Sequence, residues 1–341
     1  MSINPVNNKA AILIFLIFSM AIPAGCSRED PGKQVYPWYI YHYNEGSSFN
    51  DITPVKDMIG SISIFGNPPK SFIDECHQNN IEVYSAVGGN ETNIHTPEKI
   101  EALADEYLNT CITNGYDGID LDFEHLSPDF QSTYTGFLKV VSKKLHSAGK
   151  KLSHCVGFYP VLYQNGKAKI FYDPVVLAST CDLVRVMCYD MYYAPGISDS
   201  SLANRDDCMG MGPTSNYPWA KEAMLFWIKH IPKDKLVMAL PAYSNDYVVS
   251  GNIKGQQIYK SVPDSVSGVL PSPRWLWYEK INMYLYNDVN GKQRLFYASD
   301  ARSTEALLEL ADALHIRKIG FWHFGSVDPE MWNVVQQWQR K

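Results

Sequence analysis

From Val35 onward, short β-branched or aromatic runs alternate with segments whose apolar residues recur at helical spacing. The runs at 35–43, 61–65, 82–87, 118–124, 152–158, 183–189, 236–240 and 319–323 predict eight strands. Between the third and fourth, Thr96 followed by Pro97 signals a helix start, with Ile100, Leu103, Tyr107, Leu108 and Cys111 repeating on one face. After the fourth, Ser127 and Pro128 repeat that signal ahead of Phe130, Tyr134, Phe137, Leu138, Val141 and Leu145, and Gly149 marks the stop. Strands alternating with helices imply parallel pairing. Eight such units, with no GxGxxG among them, predict the α/β class and a (β/α)8 TIM barrel rather than an open doubly wound sheet. The seventh unit is swollen. Trp275, Trp277, Tyr278, Tyr284, Tyr286, Phe296 and Tyr297, with a hairpin signal at Asn290–Gly291, predict a small α+β insertion at about 245–299. Because it follows a strand, it belongs on the C-terminal face of the barrel, where barrel active sites are built.

The first 34 residues have a different pattern. Lys9 precedes an apolar run, 10–22, broken only by Ser19, and Ala24 and Gly25 follow; residues 1–25 read as a signal peptide. The run is shorter than the roughly 20 residues that span a bilayer, so it is not read as a transmembrane helix. Residues 26–34 are polar apart from Cys26, carry Pro31–Gly32, and read as a tether to a domain at 35–341.

Composition narrows the class. With 45% hydrophobic, 13% aromatic and 19% charged residues in 341, the chain is neither disordered, collagenous nor coiled-coil. A net charge of -6 leaves no basic surface able to neutralise many phosphates, and loss of residues 1–25 removes one cation, Lys9; no nucleic-acid partner is expected. The 22 Tyr, 14 Phe and 8 Trp supply flat faces with polar tips, which suit sugar rings as well as cores. Cys76, Cys111, Cys155, Cys181, Cys188 and Cys208 form no CxxC, and the nine histidines form no HExxH, so buried thiols are expected and no metal site.

The chemistry sits at 117–124, Asp-Gly-Ile-Asp-Leu-Asp-Phe-Glu, where the usual alternation is inverted. If Ile119, Leu121 and Phe123 face the helices, Asp120, Asp122 and Glu124 point into the barrel and climb toward its C-terminal rim. Side chains two apart on a strand are roughly 6–7 Å apart along the backbone, so three carboxylates there resist ionising together and at least one should hold a proton near neutral pH. A protonated carboxyl in a partly buried site is what general acid catalysis needs. A hard-cation site is the lesser alternative, because no His or Asn joins the three.

Residues 117–124 match the DxxDxDxE signature of family 18 glycoside hydrolases, the chitinase family, and the chain is identified as resembling that family over nearly all of its mature length. Ala86-Val87-Gly88-Gly89, Met187-Cys188-Tyr189-Asp190 and Trp322 recur in the family's order. Gly212–Pro213, Trp219, Pro241-Ala242-Tyr243 and Asp300-Ala301-Arg302-Ser303 are similar to its bacterial spore-cortex and cell-wall branch. The resemblance implies a retaining, cofactor-free hydrolase of β-linked N-acetylglucosamine-containing glycans, chitin oligosaccharides or peptidoglycan, in which the substrate's own acetamido oxygen attacks the anomeric carbon. By the same resemblance Glu124 is the general acid, Asp122 orients the acetamido group, Asp120 shares a proton with Asp122, and Tyr189 donates to the acetamido carbonyl. Met187, Asp190, Tyr243, Gly88 and Gly89 are implied to line the substrate, with Trp322 as its floor. His125 is expected on the rim. The family usually has a serine on strand 3 supporting the inner Asp, and here that position is Ala86. Ala24-Gly25-Cys26 resembles a bacterial lipobox, although Pro23 departs from it. It implies lipidation of Cys26 and an exported, membrane-anchored lipoprotein of the cell envelope, expected to be a monomer. The rival function is a catalytically weak or inactive chitinase-like carbohydrate-binding lipoprotein; such proteins generally lose the acid, whereas Glu124 is present.

Overall fold

The first strand is hydrogen-bonded on both sides, and this closes the barrel. In the computed structural model, which describes residues 32–42, 46–124, 126–157, 163–164, 167–168, 170–197, 210–260 and 271–341, β1 runs in two pieces, Gln34–Val35 and Trp38–Ile40. The break falls at Tyr36–Pro37, where proline has no N–H for a ladder. The first piece pairs with Lys318 and Ile319 of the last strand, and the second pairs with Ser63, Ile64 and Phe65. Around the ring follow β2 (Ser61–Phe65), β3 (Glu82–Gly89), β4 (Gly118–Phe123), β5 (Lys151–Val156), β6 (Leu183–Met187), β7 (Leu236–Pro241) and, as the eighth barrel strand, β13 (Lys318–Trp322), all parallel.

Helices α1 (Lys70–Gln78), α2 (Pro97–Asn114), α3 (Gln131–Ser147), α4 (Pro174–Thr180), α5 (Tyr217–Ile228), α6 (Ala301–Ala313) and α7 (Pro329–Arg340) follow β2 to β7 and β13. In the first unit two 3-10 turns, Phe49–Asp51 and Thr53–Met58, take the helix position. The Thr96 hydroxyl accepts from the Lys99 N–H at the start of α2, and Ser127–Pro128 opens a 3-10 turn, Pro128–Phe130, that leads into α3. On α3 the expected face is the buried one: Tyr134, Phe137, Leu138, Val141 and Leu145 have no exposed surface. They pack on the outer side of β4, where Phe123 lies 5.3 Å from Phe137 and 5.7 Å from Tyr134, centroid to centroid. Burying a side chain of this size stabilises the fold by about 1.5–3 kcal/mol. This layer between sheet and helices is the main core, while the barrel interior is smaller and more polar.

After β7 comes a five-stranded antiparallel sheet in the order β9, β8, β12, β11, β10, formed by β8 (Ser244–Val248), β9 (Lys254–Ile258), β10 (Arg274–Leu276), β11 (Ile281–Asn287) and β12 (Gln293–Ala298). The expected hairpin at Asn290–Gly291 joins β11 to β12. Where an α+β insertion was expected, the described residues carry strands and no helix, because period-2 alternation runs through both long strands of the hairpin. Five cysteines, Cys76, Cys111, Cys155, Cys181 and Cys188, are free and buried. Cys26, Cys208, His125, the expected signal peptide and most of the tether lie outside the described residues, and among the described residues no helix is long and apolar enough to cross a membrane.

Gly118, at the base of β4, is required by close packing. A Cβ there would lie 2.3 Å from the Lys151 carbonyl oxygen and 2.8 Å from the Tyr84 ring. Backbone cannot yield as a flexible side chain can, so Gly118→Ala is expected to destabilise the protein by about 1–3 kcal/mol, read as a lower urea midpoint at unchanged m; a wild-type midpoint would refute this packing argument.

Candidate active site

The outward set of β4, Ile119, Leu121 and Phe123, is buried at 0–1% exposure under α3, and this directs Asp120 and Asp122 into the barrel, with Glu124 one residue beyond the end of the strand. The three form a gradient. Asp120 has no exposed surface, Asp122 is half-buried, and Glu124 is exposed at the end of the strand. Asp120 is the structural anchor: the Trp38 indole donates to its Oδ2 at 2.9 Å, the Cys155 thiol lies 3.7 Å from both oxygens, and Arg185 Nε stands 3.4 Å from Oδ1. Ala86 is its register partner on β3 and supplies no donor.

Asp122 holds its proton far above the ordinary carboxylate range, its pKa pushed up to about 7, first by burial and then by the charges of Glu124 and Asp120. Its Oδ1 is buried and has no hydrogen-bond partner among the described residues. An orphaned oxygen of this kind is costly unless a ligand or water completes it. Beside it, Gly88 is exposed and pairs with Asp122 across the ladder. A Cβ on Gly89 would instead enter the Phe123 ring at 2.3 Å, so Gly89 is explained by packing of the outer layer.

The chain leaving β6 supplies the next wall. Met187 is half-buried, and Tyr189, 5% exposed, sits edge-on to Trp38 at 6.4 Å and to Tyr243 at 6.1 Å. Asp190 adopts a left-handed φ of 59°, uncommon for a residue with a Cβ. It is pinned there: its N–H donates to Thr214 Oγ1 at 3.1 Å, and its Oδ1 accepts from the Tyr243 hydroxyl at 2.5 Å and from Gln257 Nε2 at 3.0 Å. Burial raises the Asp190 pKa, and those two hydrogen bonds oppose the rise. Tyr243 is itself 1% exposed, so it acts on the site through Asp190. Trp322 is half-buried, 6.0 Å from Trp38 and 5.5 Å from Phe65, ring to ring. All of these rings and Ala86, Cys155 and Met187 form one cluster inside the C-terminal end of the barrel.

Sequence reasoning missed four residues of this arrangement: Trp38, Cys155, Arg185 and Gln257. Arg185 carried a signal, a charge at an inward position of the otherwise apolar strand Leu-Val-Arg-Val-Met. Gln257 arrives from the insertion, and Tyr259 beyond it lies between Tyr243 at 5.5 Å and His323 at 5.7 Å, so the insertion contributes directly to the site.

Fold and site together define a (β/α)8 barrel with an acidic strand rising to its C-terminal rim, beside a β insertion that helps hold the surrounding residues. The chain belongs to the glycosyl hydrolases family 18, whose model matches residues 49–326. It is similar to the uncharacterized glycosylase YvbX of Bacillus subtilis (strain 168), 20% identical over 236 residues covering 69% of this chain and 65% of the relative. A cortical fragment-lytic enzyme of the same organism is 22% identical over 243 residues, covering 69% and 53%. The chain thus spans roughly half to two thirds of the length of these curated relatives. Among solved structures, a chitinase from Chromobacterium violaceum superposes with a TM-score of 0.73 at 18% identity over 91% of this chain and 99% of that one. The Bacillus cereus spore cortex-lytic enzyme SleL gives 0.73 at 18% identity, over 89% and 74%. These likenesses are of fold.

The charge state of Asp122 makes stability depend on pH. An unfolded Asp loses its proton near ~3.9, whereas the folded one keeps it to about 7. Between these values the folded chain binds the extra proton, so this group's contribution to stability falls as pH rises. Asp122→Asn should therefore melt higher than wild type at pH 8, with the gain shrinking through the window and vanishing below about pH 4. Thermal melts of both proteins across pH measure it, and a pH-independent difference would contradict the assignment.

Proposed function

We propose that the protein is a retaining glycoside hydrolase that cleaves β-linked N-acetylglucosamine-containing glycans with the substrate's acetamido group as nucleophile. The observation that carries this reading is the burial gradient along β4: a sealed Asp120, a half-buried Asp122 with an orphaned oxygen and a raised pKa, and an exposed Glu124. Glu124, the exposed acid of the three, would give its proton to the leaving oxygen. Asp122, next along the strand, accepts from the acetamido N–H as that nitrogen gains charge, and the Tyr189 hydroxyl donates to the acetamido carbonyl so that its oxygen is aimed at the anomeric carbon. Membership of family 18 supports this division of labour, since substrate assistance replaces the enzyme nucleophile there. Trp322 offers a face for the sugar ring, Met187 and Asp190 line the same subsite, and Gly88 leaves room beside Asp122.

The two substrate classes differ in what flanks the reacting sugar. Relatives named as cortical fragment-lytic enzymes favour peptidoglycan, and the structural likeness to chitinases keeps chitin oligosaccharides as the alternative. Export with a lipid on Cys26, a reading from the sequence alone, would hold the barrel at the cell envelope, where peptidoglycan is the polymer at hand.

A panel of chitooligosaccharides, purified peptidoglycan and a high-mannose glycoprotein, with products read by mass spectrometry, tests the reading. Cleavage after N-acetylglucosamine in one of the first two is expected, and Glu124→Gln should lower that turnover by about 10²–10⁴-fold while ligand binding persists. Full activity in Glu124→Gln would remove Glu124 from its role, and sugar binding without hydrolysis by wild type would favour the carbohydrate-binding alternative.

A further inference from the structure

Arg185 is fully buried, and its guanidinium is held from several sides. Nε donates to Ser153 Oγ at 3.0 Å, Nη1 donates to the Tyr36 carbonyl at 2.7 Å, and Nη2 lies 3.5 Å from Ser61 Oγ. Its flat group lies 5.2 Å from the Trp38 ring and 5.9 Å from that of Tyr84. A guanidinium keeps its proton even when buried, so this position carries a permanent positive charge inside the barrel. Its ion-pair partner among the described residues is Asp120, at 3.4 Å, and the same Trp38 that flanks the guanidinium donates to Asp120. Fixed by three strands and two rings, the cation cannot turn away from that carboxylate.

We propose that Arg185 is a positioning residue of this site: by opposing the charge of Asp120 from below, it sets the pH at which Asp122 gives up its proton and becomes able to accept the acetamido N–H. The inference rests on the glycosidase reading above and deepens it. Asp120 and Asp122 are two apart on one face of β4, so any charge on the first bears on the second. The groups facing this pair are Glu124 just beyond the end of the same strand, Cys155 on β5, Tyr189 and Asp190 beyond β6, and Tyr243 beyond β7. Toward the base stand Tyr36, Tyr84 and Glu82. His154, on the outer side of β5, is kept neutral by burial, its pKa pushed down to about 4. Lys151 and Lys318 stand beside Glu82 at the base, and the cation in contact with Asp120 among the described residues is Arg185. Without it the sealed Asp120 would take up a proton, the charge that raises Asp122 from one side would be lost, and Asp122 would give up its own proton at lower pH. Ala86, in register with Asp120, offers no hydroxyl in compensation.

NMR titration of the whole chain tests this without substrate. Asp carboxyl carbons are followed with Asp122 assigned through Asp122→Asn, and Arg Nε–H groups with Arg185 assigned through Arg185→Lys. In wild type the Arg185 Nε–H resonance is expected to move through the same midpoint as the Asp122 carboxyl. In Arg185→Met that Asp122 midpoint should fall by about one pH unit or more, as expected when a neighbouring like charge is lost through protonation of Asp120. An Arg185 signal that stays still while Asp122 titrates would overturn the proposal even if Arg185→Met failed to fold, and so would a folded Arg185→Met with a wild-type midpoint. Absence of glycan cleavage would count against the glycosidase reading and leave this titration standing.

Discussion

Asp120 lies inside the barrel with no exposed surface, and an isolated buried carboxylate would cost several kcal/mol. The surrounding structure is arranged around that constraint. Trp38 donates to it from β1, Cys155 from β5, and Arg185 faces it from β6, so three strands must close correctly before the charge is compensated. Barrel closure through the divided first strand is therefore also the step that delivers Trp38 to Asp120. Fold and site share one requirement. Such pairs are weak evidence for net stability, because apolar replacements of similar volume often do as well; their better-attested value is in fixing one arrangement.

Moving up β4, the same physics is used in the opposite sense. Asp120 is satisfied, whereas Asp122 keeps an unpartnered oxygen and a raised pKa. This is a local cost held in place by the apolar layer of Ile119, Leu121 and Phe123 against α3. The left-handed backbone of Asp190 is a second strained element, held by Thr214, Tyr243 and Gln257. Strain and unsatisfied polar groups collected at one rim, over a well-packed outer layer, are the pattern expected where binding rather than folding is to supply the missing partner.

The barrel was legible in the sequence because its signals are local: period-2 runs, Thr96–Pro97 and Ser127–Pro128 starts, and a helix face on α3 that the structure buries from Tyr134 to Leu145, with Phe130 half-buried in the turn before it. The acids were legible for the same reason, since an inverted alternation in Ile-Asp-Leu-Asp-Phe points Asp120 and Asp122 inward whatever lies opposite. What lies opposite was not legible. Trp38, Cys155 and Arg185 are separated from Asp120 by 82, 35 and 65 positions, and only closure of the ring brings them to it. Gly89, which the resemblance assigned to the substrate, has a packing reason that the sequence did not show: a Cβ there would enter the Phe123 ring. A five-stranded sheet follows β7 where an α+β insertion was expected, and the described residues there carry no helix, because the aromatic composition indicated burial without deciding the backbone.

The central claim is that the substrate's acetamido oxygen acts as the nucleophile in a site whose carboxylates only donate, accept and orient. Proton NMR of the anomeric signals during hydrolysis of a chitooligosaccharide, run beside its fully de-acetylated analogue, tests it most directly. The account predicts that new reducing ends appear first in the β configuration and that the de-acetylated chain is not cut. Release of the α anomer first, or comparable cleavage of the de-acetylated chain, would contradict it.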